Sequence, residues 1–238
     1  MLARPARIAA VSDSAEPHYH GHRQRLRERF RRAGAAGLDD HEMVELLLFA
    51  AIPRRDVKPL AKSLVERFAG YAGLLSATRS ELARVEGLGD VAIDTLLAVR
   101  EAAVRLARVE AMASPVLSGW QKLIDYCRAD MARARTEHFR LLFLDRRNRL
   151  IHDEVHQAGT VDHAPVYPRE VAKRCLELSA TAVILVHNHP SGDPAPSRAD
   201  IDVTRDIAKA LAAIGVVVHD HLVIGRTGHA SFKSLGLL

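Results

Sequence analysis

The chain has 238 residues, 48% of them hydrophobic and 26% charged, which suits one large domain or two small ones with a buried core and excludes a disordered or fibrous chain. Its formal net charge of +5 and pI near 9.5 permit contact with nucleic acid without requiring it. No apolar run approaches the roughly 18 residues of a membrane span, and the two widely spaced cysteines, Cys127 and Cys175, exclude a disulfide framework or a cysteine metal site and point to a reducing cytoplasm.

In chain order, residues 1–20 read as a disordered arm, basic at the start but with too short an apolar stretch for a signal peptide. A basic run follows: Arg23, Arg25, Arg27, Arg29, Arg31 and Arg32, opposed only by Glu28. It is either a phosphate-contacting arm or the solvated face of a helix. Residues 21–112 carry helical signals. One helix covers 40–49, with Met43, Leu46 and Leu47 at helical spacing. A second starts at Asp56, accommodates Pro59 in its first turn and ends at Gly70. A third, rich in Ala, Leu and Arg, covers 91–112. Residues 113–119 hold Ser114, Pro115, Ser118 and Gly119 and read as a linker.

After a helix over 120–135 the period changes. Strands are expected over 139–144 and 150–156, joined by a tight turn at Arg146 and Asn148. A helix over 168–179, a strand over 181–186 apolar enough to be covered on both faces, a helix over 197–214 and a strand over 216–225 complete residues 120–238. Strands alternating with helices make an α/β layered domain behind a helical one.

The chemistry concentrates in VHNHPSGDPAPSRAD, residues 186–200. His187 and His189 are two apart at the end of a strand, so both imidazoles point to one face and Asn188 to the other. A stiff Pro/Gly loop then forces a turn, and Ser197 opens a helix with Asp200 in its first turn, able to fold back over the strand end. Two imidazoles and a carboxylate form a three-ligand set for a divalent cation, with a fourth position open to water, as in catalytic zinc sites. Each fragment also has an ordinary reading: a lone H-x-H means little, and Ser197 with Asp200 can be only a capping box. The joint pattern is rarer and points to metal. His219 and His221 form a second H-x-H inside a strand with no suitably placed acid after it, and Asp220 and His221 read as buried or edge polar groups. His18, His20 and His22 also alternate but lie in or beside the disordered arm, and His152, His156 and His163 read as exposed or core histidines.

The run HNHPSGDPAPSRAD resembles the JAMM (MPN-plus) metalloprotease motif, H-x-H, seven residues, Ser, two residues, Asp. Its fuller wording resembles the bacterial RadC family, with further agreement at Gly159–Thr160, YPREV (167–171), DHLVIG (220–225) and the N-terminal segments HEMVELLLFAAIPRRDVKPLAKSL and LARVEGLGDVAIDTLLAVREA. The resemblance implies an N-terminal helical domain followed by an α/β/α JAMM-like (cytidine-deaminase-like) domain with a mixed sheet. It implies Zn2+ held by His187, His189 and Asp200, Ser197 stabilising an oxyanion, and an upstream glutamate as general base. Glu137, just ahead of the strand at 139–144, is the expected base, with Glu154 and Glu170 as alternatives. The activity implied is hydrolysis of a peptide or isopeptide bond.

Residues 85–100, VEGLGDVAIDTLLAVR, resemble a helix–hairpin–helix motif, in which Gly87, Leu88 and Gly89 form a turn presenting backbone N–H groups to a phosphate. Asp90 and Asp94 depart from that pattern, and the plain alternative is a helix-pair turn whose glycines serve backbone shape. Two functions compete: a zinc-dependent hydrolase of the metallopeptidase or amidase type acting on a peptide or protein, and a DNA-binding, repair-associated protein whose metal site is structural or vestigial. DNA would be met by the Gly87–Gly89 turn and the Arg23 to Arg32 arm. A nuclease of the HNH type does not draw its histidines from one tripeptide, and a zinc deaminase lacks its PCxxC here.

Overall fold

The structure, a computed structural model, describes residues 21–113, 115–116, 118–158 and 166–238. The arm expected over 1–20, the Gly159–Thr160 pair and His163 lie outside the described residues. Contacts divide the chain into two compact units, one running to Leu74 and including Arg79–Thr95, the other holding Leu75–Thr78 and Leu96–Leu238. That division falls inside a helix, ahead of the linker-like composition at 113–119.

The first unit is helical: α1 (His22–Ala33), a 3-10 turn at Ala35–Gly37, α2 (Asp40–Ala51), α3 (Lys58–Arg67), α4 (Tyr71–Leu75), α5 (Arg79–Leu82) and the start of α6 (Asp90–Met112). The Glu42 side chain accepts the Asp39 backbone N–H at 3.1 Å, satisfying a donor at the start of α2. The basic run forms α1, which buries only Leu26. Its arginines divide in use. Arg23 lies 4.6 Å from the Phe49 ring centroid and donates to the Ile52 and Arg55 carbonyls at 2.6 Å each, and Arg29 pairs with Glu42. Arg25, Arg27, Arg31 and Arg32 are exposed.

The second unit contains α7 (Trp120–Met131), β1 (His138–Leu144), β2 (Leu150–Ala158), α8 (Pro168–Glu177), β3 (Ala182–Asn188), α9 (Arg198–Ala212), β4 (Val217–Ile224) and β5 (His229–Ser231). The sheet order is β2-β1-β3-β4-β5, with β3 and β4 parallel and every other pair antiparallel. The expected α/β architecture with a mixed sheet is therefore present. In the β1–β2 turn, Asn148 adopts φ +55, a left-handed conformation that Asn tolerates, and the Asp145 carboxylate accepts the N–H groups of Arg147 and Arg149 at 2.7 and 2.9 Å.

Both faces of the sheet are covered, as the apolar run of β3 requires. Leu142, Leu144, Ile184, Val186, Leu222 and Ile224 pack with Leu123, Ile124, Cys127 and Met131 of α7 and with Ala111 of α6. Leu141, Phe143, Val183 and Leu185 pack on the other side with Val171 and Cys175 of α8 and Ile207 and Leu211 of α9. Cys127 and Cys175 are buried free thiols, pushed up by burial to about 12 and about 11. No helix among the described residues is long and apolar enough to cross a membrane.

One charged network is buried on the α7 side. Arg140 of β1 donates to Tyr126 Oη at 2.6 Å and to Asp153 of β2 at 2.8 Å, and pairs with Asp130. Arg108 of α6 also reaches Asp153. The network ties α6, α7, β1 and β2 together through charge-assisted bonds. Removing one partner strands a buried charge. Asp153→Ala is therefore expected to cost about 3–5 kcal/mol of unfolding free energy in urea titration, and a loss below about 1 kcal/mol would mean that Arg140 finds compensation elsewhere.

Candidate metal centre

The site lies where β3 ends beneath α9. Val183, Leu185 and His187 share the face that α9 covers, because side chains alternate along a strand. His187 is 1% exposed, its ring nearly parallel to that of Phe139, with centroids 6.1 Å apart. The chain then turns through 189–196. Gly192 holds φ +92, and a Cβ added to Gly225, just past β4, would meet the Gly192 carbonyl oxygen at 2.5 Å. Two backbones thus close on each other, joined by His189 N–H to Ile224 O at 3.1 Å and Arg226 N–H to Gly192 O at 3.0 Å. Ser197 caps α9: its Oγ accepts the Asp200 N–H at 3.2 Å, and Asp200 Oδ2 accepts the Ser197 N–H at 2.7 Å. The cap that starts the helix also aims Asp200 back at the strand.

Three side chains converge as a result. His187 Nε2 and His189 Nε2 are 2.9 Å apart, and the Asp200 oxygens lie 3.4 Å from each of them. Among the described residues, His187, His189 and Asp200 form the group whose ligand atoms fall within 4.8 Å of one another. Donors about 2.0–2.1 Å from a tetrahedral zinc stand about 3.3 Å apart, so the spacing and the nitrogen-and-oxygen donor set both fit that ion. The His189 Nδ1–H donates to the Asp193 carbonyl at 2.9 Å, leaving Nε2 as the lone pair that faces the cluster.

The electrostatics agree with a cation site. Burial works against the Asp200 charge, but the His187 and His189 imidazoles beside it outweigh it and hold the carboxyl far below the ordinary carboxylate range. The hydrogen bond to Asp200 raises the His189 pKa against the effect of burial.

Residues 117–237, just over half of the chain, match the family described as the RadC-like JAB domain, and residues 20–93 match the one described as UPF0758 N-terminal. This chain belongs to the RadC-like JAB domain family. The JAB match covers α7 and the whole sheet, including the histidine–aspartate cluster.

Within this JAB domain the three candidate glutamates separate. Glu137 sits just ahead of β1, and its charge contributes to raising the His189 pKa, so it lies within electrostatic reach of the cluster. Asn188, buried and facing away from the imidazoles, accepts the His138 N–H at 2.9 Å and donates to the Thr136 carbonyl at 3.0 Å, bracketing Glu137 on both sides. Glu154, on β2, is bound by Arg174 at 2.6 Å, which holds its carboxyl below the usual range. Glu170 pairs with Arg169 at 3.3 Å in the first turn of α8.

Sequence reasoning missed His221 and Thr204. His221, read only as a buried or edge polar group, is fully buried on β4 beside the cluster: its Nε2 lies 2.8 Å from His187 Nδ1 and its Nδ1 lies 2.6 Å from Thr204 Oγ1. Burial, with His187 next to it, lowers its pKa well below the ordinary histidine value. Its H-x-H partner His219 instead meets Asn148 Oδ1 at 2.6 Å. No local sequence signal marked it: the parallel pairing of β3 with β4, which sets Leu185 opposite His221, is what brings it to the cluster. His152 and His156 neighbour Glu154 and are not part of the grouped ligand atoms. Elemental analysis of purified protein should find close to one zinc per chain, lost in both His187→Ala and Asp200→Ala. Stoichiometric metal persisting in both variants would remove these residues from the ligand set.

Proposed function

We propose that the chain is a zinc-dependent hydrolase of the metallopeptidase or amidase type, with His187, His189 and Asp200 as metal ligands, Glu137 as general base and Ser197 as oxyanion donor. The observation that carries this reading is the convergence of two imidazole Nε2 atoms and one carboxylate at zinc-like spacing. Three protein ligands leave a coordination position for water, unlike the closed four-ligand set of a structural site.

When bound there, zinc supplies a Lewis acid and a water acidic enough to yield hydroxide near neutral pH. Glu137, partly exposed and bracketed by the Asn188 bonds, accepts the water proton and returns it to the leaving amine. Ser197 spends its oxygen lone pair on the helix cap and keeps its hydroxyl proton, which donates to the oxyanion of a tetrahedral intermediate. Asp200 stays ionised throughout, consistent with its strongly lowered pKa. A fluorescence-quenched peptide library presented to zinc-loaded protein is the test. Glu137→Gln is expected to keep the metal and lose turnover by about 10²–10⁴-fold. Wild-type turnover surviving that substitution removes Glu137 from the mechanism, and failure of the wild type to cleave any library member counts against the peptidase reading.

A second function, DNA contact by the helical unit, is favoured by two observations. Arg25, Arg27, Arg31 and Arg32 stand exposed on α1, and beside the Gly87–Gly89 turn Arg79 pairs with both Asp90 and Asp94, offsetting the charges that would repel a phosphate. Such binding is electrostatic, so affinity for duplex DNA should fall steeply with salt, by a log–log slope of about −0.9 per phosphate neutralised. Arg25→Ala combined with Arg32→Ala should flatten that slope; binding indifferent to salt would reject this function.

A further inference from the structure

A metal-ligating imidazole must present a lone pair, so whatever holds its second nitrogen decides whether it can bind. For His189 that partner is the Asp193 carbonyl, which can only accept. For His187 it is another histidine, which could accept or donate, and the outcome depends on what lies beyond. His187 Nδ1 is 2.8 Å from His221 Nε2, His221 Nδ1 is 2.6 Å from Thr204 Oγ1, and Thr204 Oγ1 is 2.5 Å from the carbonyl oxygen of Asp200. Each contact needs one proton between its two atoms.

The last link sets the direction. A carbonyl oxygen carries no proton, so the Thr204 hydroxyl donates to Asp200 O. With that proton committed, Thr204 Oγ1 accepts from His221 Nδ1–H. A neutral imidazole has a single N–H, so His221 Nε2 is a lone pair and accepts from His187 Nδ1–H. The His187 lone pair is then at Nε2, the atom facing His189 and Asp200. Reversing any link would bring two lone pairs or two protons face to face. His187, His221 and Thr204 are at most 1% exposed, so solvent offers no substitute partner. The rings are also fixed: His221 is stacked on Phe232 at 4.6 Å and meets Phe139 edge-on at 5.5 Å.

We propose that Thr204 and His221 are positioning residues that hold His187 in its metal-binding tautomer through a one-way hydrogen-bond chain ending on the main-chain carbonyl of Asp200. This rests on the reading of His187 as a metal ligand. Asp200 would thereby act twice, its carboxylate joining the ligand set and its carbonyl orienting a second ligand from behind, so that seating α9 assembles both at once.

Thr204→Val is the informative variant, because it keeps the shape and removes only the hydroxyl, while Asp200 O stays available to the helical N–H four residues on. Two readouts are needed: zinc affinity by competition with a chromophoric chelator, and the tautomers of His187 and His221 by long-range proton–nitrogen NMR of metal-free protein. Thr204→Val is expected to weaken zinc binding about 10–100-fold and to bring His187 partly into its Nε2–H form, with Thr204→Ser restoring both. His221→Phe, matched to its aromatic neighbours, should weaken zinc binding to a similar degree. Wild-type affinity and an unchanged His187 tautomer in Thr204→Val overturn the proposal. An Nε2–H tautomer of His187 in the wild type overturns it without any variant. A wild type that binds no zinc while His187 is in the Nδ1–H form would reject the metal reading and leave the hydrogen-bond chain intact.

Discussion

The site depends on one constraint: β3 is buried on both faces and locked between two neighbours, antiparallel to β1 and parallel to β4. A strand in that position has one register, because a slip of a single residue would turn its apolar side chains to the wrong layers and exchange His187 with Asn188. The alternation that fills the two cores therefore also assigns the chemistry at the strand's end. His187 goes to the α9 side, where Asp200 and Thr204 are. Asn188 goes the other way, to the backbone around Glu137.

The strand and helix that carry the candidate ligands are brought together by devices that serve stability as much as chemistry. The Ser197–Asp200 pair is a capping box, satisfying N–H groups that the first turn of α9 would otherwise leave open. The same carboxylate faces both imidazoles. The capping and metal readings of S-x-x-D are compatible, since each carboxylate oxygen has more than one lone-pair direction. The close passage of Gly192 beside Gly225 lets the intervening loop lie against the end of β4, which holds His189 near Asp200.

The two units draw on arginine differently. In the sheet unit, Arg140 and Arg108 converge on Asp153, and low exposure makes those pairs part of the fold. In the helical unit, Arg23 and Arg29 are bound internally while four others on the same helix face water. A basic stretch that reads as uniform along the chain is thus partly structural and partly available, a division set by which way each helical position points.

Much was legible along the chain. The β-branched run of β3, the Pro at the start of α8 and the Ser–Asp opening of α9 are local signals, and hydrophobic period marks strand or helix before any partner is known. The H-x-H spacing put both imidazoles on one face for the same reason, and the motif at 186–200 carried the resemblance to RadC that the family match bears out. What the chain alone left open was every relation between distant segments. The different surroundings of Glu137 and Glu154 became visible only with the β1–β3 pairing and the Arg174 bond that occupies Glu154. His221 looked like an ordinary core histidine because its partners lie 34 and 17 residues away, and only the parallel seating of β4 beside β3 under α9 brings them within hydrogen-bond reach. Local sequence determined which elements form and which faces they bury, since those follow from backbone sterics and side-chain period. The tertiary structure decided which polar atoms meet, because hydrogen bonds and metal-ligand geometry depend on distances that no sequence spacing beyond one helix or strand encodes.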